Sequence, residues 1–237
     1  MSRVKRLLIL LIAIPMAMPT TMAQDVDQEA FMHYINPEIF GEFVGGFLVT
    51  KDYERQDFQL RYEYPTLYQN NLHEVIILNE KGKQKKYDKS QLVGFGVDGQ
   101  VFVPEKLGGK TMWLMLTTEG IIQQTVYFQP EMGHPAAYYV VNHIVTNNAT
   151  DESIYVGHLA VNFNLKMSKM IADYPELAKK VYDKEPGYHF VNYRKIIAEY
   201  NLWYNTQNPG EVHYILPVPD YEALIRNDAG KLVQEEN

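Results

Sequence analysis

The sequence contains no cysteine. Neither a disulfide framework nor a thiolate metal site is available, and an oxidising compartment would add no cross-links. Serine is nearly as scarce. Beyond Ser2 there are only Ser90, Ser153 and Ser168, and none sits in the Gly-x-Ser-x-Gly elbow of a serine hydrolase. Ser168-Lys169 is likewise not a spaced Ser-x-x-Lys dyad. An excess of positive charge is missing too, with 22 Lys+Arg against 29 Asp+Glu. A negative field repels phosphate backbones, which argues against nucleic acid and anionic membrane surfaces as partners. Finally, no apolar run approaches the roughly 20 residues that cross a bilayer as a helix.

The apolar run that does exist is at the N-terminus. Arg3, Lys5 and Arg6 precede Leu7–Ile14, Pro15 and Pro19 break the run, and Thr21-Met22-Ala23 ends in a small residue. This tripartite pattern predicts a secretory signal peptide over residues 1–23, cleaved to leave Gln24 first. Removing it moves the formal charge from −7 to −10. With no cysteine for lipid attachment, the expected product is an exported soluble protein, periplasmic in preference to extracellular, with no membrane insertion after cleavage.

What is abundant is aromatic: 18 Tyr and 10 Phe in 237 residues. That suits a β-rich protein with many half-buried positions. The spacing over Asp25–Ile35 predicts a short helix ended by Pro37, within an N-terminal lead-in of residues 24–42. Phe58, Leu60, Tyr62 and Tyr64 then alternate with polar neighbours, as in a strand with one buried face. Further strands are expected at Phe43–Thr50, Leu72–Asn79, Gln91–Asp98, Thr111–Thr118, Ile121–Gln129 and Ala137–Thr146. Turn chemistry at Glu80-Lys81-Gly82-Lys83, Asp98-Gly99, Gly108-Gly109 and Glu119-Gly120 separates several of them. Seven or so strands without intervening helices imply an antiparallel meander or barrel-like sheet over about residues 43–160.

After residue 160 the period changes. Helices are expected around Leu165–Ile171, over Pro175–Tyr182 and over Asn192–Tyr204. Tyr193, Ile196, Ile197 and Tyr200 form one face, which should dock on the sheet. The fold class is therefore α+β, a single β-rich domain over 43–205 with its C-terminal helices packed against the sheet. Residues 206–237 read as an extended arm with a short helix at Tyr221–Arg226 and a frayed tail.

Four fragments suggest chemistry and fail on context. Gly94-Phe95-Gly96-Val97-Asp98-Gly99 spells a dinucleotide fingerprint, but a strand continues at Gln100–Val103 where a helix must begin. Gly109-Lys110-Thr111 ends like a phosphate-binding loop, but Pro104 stands where its first glycine is required. His73-Glu74 opens a zincin-like string whose second histidine position is Ile77. The seven histidines, 33, 73, 134, 143, 158, 189 and 213, show no ligand spacing, leaving only His143 with His158 as a pair that folding could join. Asp151-Glu152 could supply a glycosidase carboxylate, yet Asn147–Glu152 reads as a solvated turn. No catalytic, cofactor-binding or metal-binding residue is nominated, and no cofactor is expected.

The fragments Gly46-Phe47-Leu48-Val49-Thr50-Lys51-Asp52, Gln91–Gly99, Trp113–Gly120, Tyr174-Pro175-Glu176-Leu177-Ala178-Lys179-Lys180 and Ile197-Ala198-Glu199-Tyr200-Asn201 come in a recognisable order. Over about residues 44–205 the chain resembles a group of exported β-sheet-plus-helix proteins of Bacteroidota-type bacteria. Tyr174 stands where that pattern often has cysteine. The resemblance implies export and a sheet followed by helices, and carries no activity. The functional expectation is a non-catalytic exported module that binds a protein or glycan partner, or serves a structural role. Two alternatives stand beside it: a carboxylate-based glycan hydrolase and a carrier of a small apolar ligand.

Overall fold

The computed structural model describes residues 41–61, 74–107, 109–130 and 139–226. The expected signal peptide, the helix at 25–35, the strand positions at 62–64 and 72–73, and the frayed tail lie outside the described residues.

Ten strands form one antiparallel sheet: β1 Val44–Thr50, β2 Arg55–Arg61, β3 Glu74–Leu78, β4 Gln84–Asp88, β5 Leu92–Val97, β6 Gln100–Leu107, β7 Lys110–Thr118, β8 Ile122–Pro130, β9 Tyr139–Asn147 and β10 Glu152–Tyr155. The order is β10-β9-β8-β7-β6-β5-β1-β2-β3-β4. The sheet is open, not a closed barrel, and only the β5–β1 junction departs from sequential pairing. Two strands escape the sequence pattern. β4 is Gln-Lys-Lys-Tyr-Asp, where only Tyr87 is even half-buried, so an edge strand shows no alternation of apolar residues. β10 has four residues and none is fully buried.

Helices α1 Val156–Ala160, α2 Phe163–Met170, α3 Pro175–Tyr182 and α4 Tyr193–Gln207 follow. Pro175 occupies the first turn of α3, where its missing N–H leaves no helical bond unmade. Residues 208–220 carry no helix or strand, and residues 221–226 form a last helical turn, α5. No helix of the described residues is long and apolar enough to cross a membrane.

The strand register assigns each side chain to a sheet face. On the first face, Leu48, Leu60, Ile77, Phe95, Phe102, Trp113, Met115 and Val126 form one buried cluster reaching across β1 to β8. The Phe95 ring stacks on Phe102 at 5.0 Å and meets Trp113 edge-on at 4.9 Å, a geometry that aromatic quadrupoles favour. Further along the same face, Ile122 and Val145 join Leu159, Met167, Leu177, Ile196, Ile197 and Tyr200 in a second cluster. The α4 face expected from its spacing is thus the face that packs on β8 and β9. Asn201 pins it by accepting from Ile122 N at 2.9 Å and donating to Ile122 O at 2.8 Å. Tyr174 stacks on Trp203 with centroids 4.5 Å apart.

The second face carries two smaller clusters. One joins Leu107, Leu114, Tyr127 and Ile144. The other joins Val101, Val103 and Leu116 with half-buried Phe47 and Ile215. Ile215 belongs to the segment after α4, so the chain turns back and lays a strap over this face.

Candidate functional site

The strap creates the site. After α4 the chain passes Asn208, whose amide donates to Tyr204 O at 2.8 Å, and Gly210 in a left-handed conformation. It then crosses the β7–β8 hairpin. There the buried carboxylate of Glu119 accepts both Ile215 N, at 2.7 Å, and Leu216 N, at 3.0 Å. Tyr221 from α5 donates its hydroxyl to Glu119 O. Burial pushes the Glu119 carboxyl above the ordinary glutamate range, and the two amide bonds hold it back down.

Beneath the strap lies Gly94. A Cβ there would stand 2.7 Å from Ile215 Cδ1 and 2.8 Å from Phe102 O, so the bare backbone is the seat of Ile215. A Cβ on Gly96 would overlap the Phe47 ring. Two of the three glycines of the dinucleotide-like string are therefore explained by packing, and Gly99 sits at positive φ in the β5–β6 turn. Gly109, of the phosphate-loop-like string, likewise turns β6 into β7 at positive φ.

Between strap and sheet runs a cleft of about 490 Å³, whose walls include Lys51, Tyr53, Gln123, Asn148, Glu211 and His213. That volume lies within the ~300–1,000 Å³ usual for small-molecule sites. Tyr53 closes the β1–β2 turn, donating its amide to Thr50 O at 3.0 Å. Its φ of 59° is left-handed, a region natural for Gly or Asn and costly for a bulky side chain. The residue is 44 % exposed, and its ring lies 4.6 Å from the His213 ring. Asn148 spends its amide nitrogen on Gly120 O at 3.0 Å, and Gln123 spends its own on Glu105. Each keeps a carbonyl oxygen.

A second, wider depression of about 700 Å³ runs over Gly45, Gly46 and Gly99 beside Arg55, Asp57 and Phe58. Arg55 lies 3.8 Å over the Phe47 ring and 3.3 Å from Asp57, so its guanidinium is engaged on two sides.

The buried acids are committed internally. Glu105 on β6 accepts from Gln123, from Thr146 at 2.8 Å and from Ser153 at 3.4 Å, bridging β6 to β8, β9 and β10. Burial raises its pKa, and those three hydrogen bonds oppose the rise. Of the serines, Ser153 thus belongs to this network, Ser90 donates its backbone N–H at 2.9 Å to Asp88, which caps the short 3-10 turn, and Ser168 donates to Leu165 O within α2. Asp151 lies in the β9–β10 turn, ion-paired to Lys106, and Glu152 opens β10. Burial lowers the pKa of His143, and His158 packs edge-on against Tyr155. Among the described residues, no three His, Asp or Glu side chains gather as metal ligands would.

Sequence reasoning gives Tyr53 no role, reads Glu119 only as part of a turn and His213 only as a histidine without ligand spacing, and reads residues 206–237 as an extended arm without placing it over the sheet. Glu119 meets Ile215 across 96 positions, and no local pattern encodes that. Comparison with protein-family models, with curated proteins and with solved structures returns no match.

Proposed function

We propose that this protein is an exported, non-catalytic binding module, related to the Bacteroidota-type proteins it resembles, and that the cleft beneath its C-terminal strap is where the ligand sits. The basic n-region, short apolar run and Ala23 junction support export, with the periplasm as destination. One observation carries the binding reading: a preformed cleft in which a strained, half-exposed Tyr53 faces His213 among polar side chains that retain hydrogen-bonding capacity. The partner is a glycan or a protein segment that enters this cleft, and nucleic acid is not among the partners.

The alternatives fit the same residues less well. A carboxylate hydrolase needs two acids free to reach substrate, and both oxygens of Glu119 are taken by strap amides. An apolar carrier needs an enclosed greasy cavity, whereas this cleft mixes Lys51, Glu211, Gln123 and Asn148 with its apolar floor.

A thermal-shift screen with four chemical classes tests the reading: oligosaccharides, short peptides, nucleosides and fatty acids. A module of this kind gains stability from oligosaccharides or from short peptides as ligand concentration rises, and mass spectrometry recovers that ligand unaltered. A melting temperature moved by neither of those two classes, a shift given only by nucleosides or fatty acids, or a ligand recovered cleaved contradicts it.

A further inference from the structure

We propose that the cleft is a carbohydrate site in which a neutral sugar ring lies against Tyr53 and His213; this rests on the cleft being the binding surface. Tyr53 is the starting point. The β1–β2 turn places residue 53 at φ 59°, where glycine would be strain-free. The residue is 44 % exposed and belongs to none of the buried clusters, so core packing does not account for an aromatic at this position. Strain kept at an exposed aromatic calls for a contact made outside the fold.

The Tyr53 and His213 rings, 4.6 Å apart and 33° from coplanar, form a shelf. An aromatic face carries partial negative charge. A pyranose ring presents a face of weakly positive C–H groups, which complements it. The rim supplies the rest. Sugar hydroxyls both donate and accept. Here the carbonyl oxygens of Asn148 and Gln123 accept, Lys51 donates, and the Glu211 carboxylate, already accepting from Tyr204 at 3.2 Å, has further capacity.

Charge narrows the class. Lys51 and Glu211 have opposite sign on one rim, so the cleft selects neither cation nor anion. The net charge of the chain, −7 over its full length, repels acidic polymers at long range. A nucleotide would require a nest of amides or a cluster of cations for its phosphates, and a peptide would be best served by a free strand edge. The cleft wall is a loop strap and a hairpin turn.

Calorimetric titration with cellotetraose, maltotetraose, mannotetraose and chitotetraose tests the inference. At least one binds. Tyr53→Gly weakens that binding at least about tenfold, yet leaves the melting temperature at or above that of the parent because the left-handed strain is relieved. Tyr53→Phe keeps the ring and keeps the affinity within about threefold. Binding by none of the four overturns the inference, as does equal binding by Tyr53→Gly. So does loss of binding in Tyr53→Gly together with a lowered melting temperature, which would make Tyr53 a structural pin. If no sugar binds but a short peptide does, and Tyr53→Gly abolishes it, the carbohydrate assignment fails and the proposed function stands. If nothing binds, both fall.

Discussion

The two faces of the sheet are covered in opposite ways. On the first, α4 sets Ile196, Ile197 and Tyr200 against Ile122 and Val145, with the helix held to the β8 backbone by both ends of the Asn201 amide. On the second, thirteen residues without regular structure, 208–220, touch down chiefly through Ile215 on Gly94 and through two amides on one carboxylate. A packed helix leaves no room for a ligand. A strap held at a few points leaves a cleft, and lines it with the side chains it does not bury. The helical cover serves stability, and in the function proposed above the strap serves recognition.

That contrast can be broken most severely on the helical side. Ile197 is fully buried, and Ile197→Ala should cost about 2–5 kcal/mol in one cooperative urea transition. A variant whose unfolding free energy falls by less than 1 kcal/mol would show that the helix is not part of the core. Asn201→Ala orphans the N–H and C=O of Ile122 in a dry site and should cost about 1–3 kcal/mol, read by the same titration. On the strap side, Gly94→Ala pushes against Ile215 and Phe102 O. It should cost about 1–3 kcal/mol and weaken ligand binding together with stability, whereas Asn201→Ala should leave binding intact in the folded protein.

A further expectation concerns pH. Burial holds the Glu105 carboxyl above its value in the unfolded chain. Between the two values the native state binds the proton and the unfolded chain does not. Its contribution to stability is therefore complete below the ordinary glutamate range and lost as pH rises through the higher folded value. Glu119 acts in the same direction. Glu105→Gln should flatten this part of the stability–pH curve, measured by denaturant titration between pH 4 and 8. The smallest effect is a gain: Tyr53→Gly should stabilise the fold by about 1 kcal/mol, since left-handed strain of a bulky residue is worth roughly that much.

The helical side was largely legible in the sequence; of the strap side, the irregular arm and the short helix at Tyr221–Arg226 were legible, and the place where the arm lands was not. Apolar spacing at Ile196, Ile197 and Tyr200, and Pro175 at a helix start, are local signals that tertiary packing then reinforces. β5 to β9 announce themselves because both of their faces meet protein. β4 does not, since an edge strand of Gln84, Lys85 and Lys86 faces solvent on most sides. Gly94 and Gly96 are conspicuous, but their meaning depends on Ile215 and Phe47, which the fold alone brings to them. Glu105 alternates like any strand residue, and its three partners come from three other strands. The site is built from such distant pairings, so composition and period could place the sheet and α4 without revealing the cleft.

Amide hydrogen exchange on the intact protein tests the division between the two covers most directly. The amides of Ile196 and Ile197 should exchange only through global unfolding. Those of Ile215 and Leu216, bonded to Glu119, should exchange through a local opening of lower free energy, slowed by any ligand that fills the cleft. If the strap amides prove as protected as the helix amides in the free protein, the strap belongs to the core and the account of it as a separable wall is wrong.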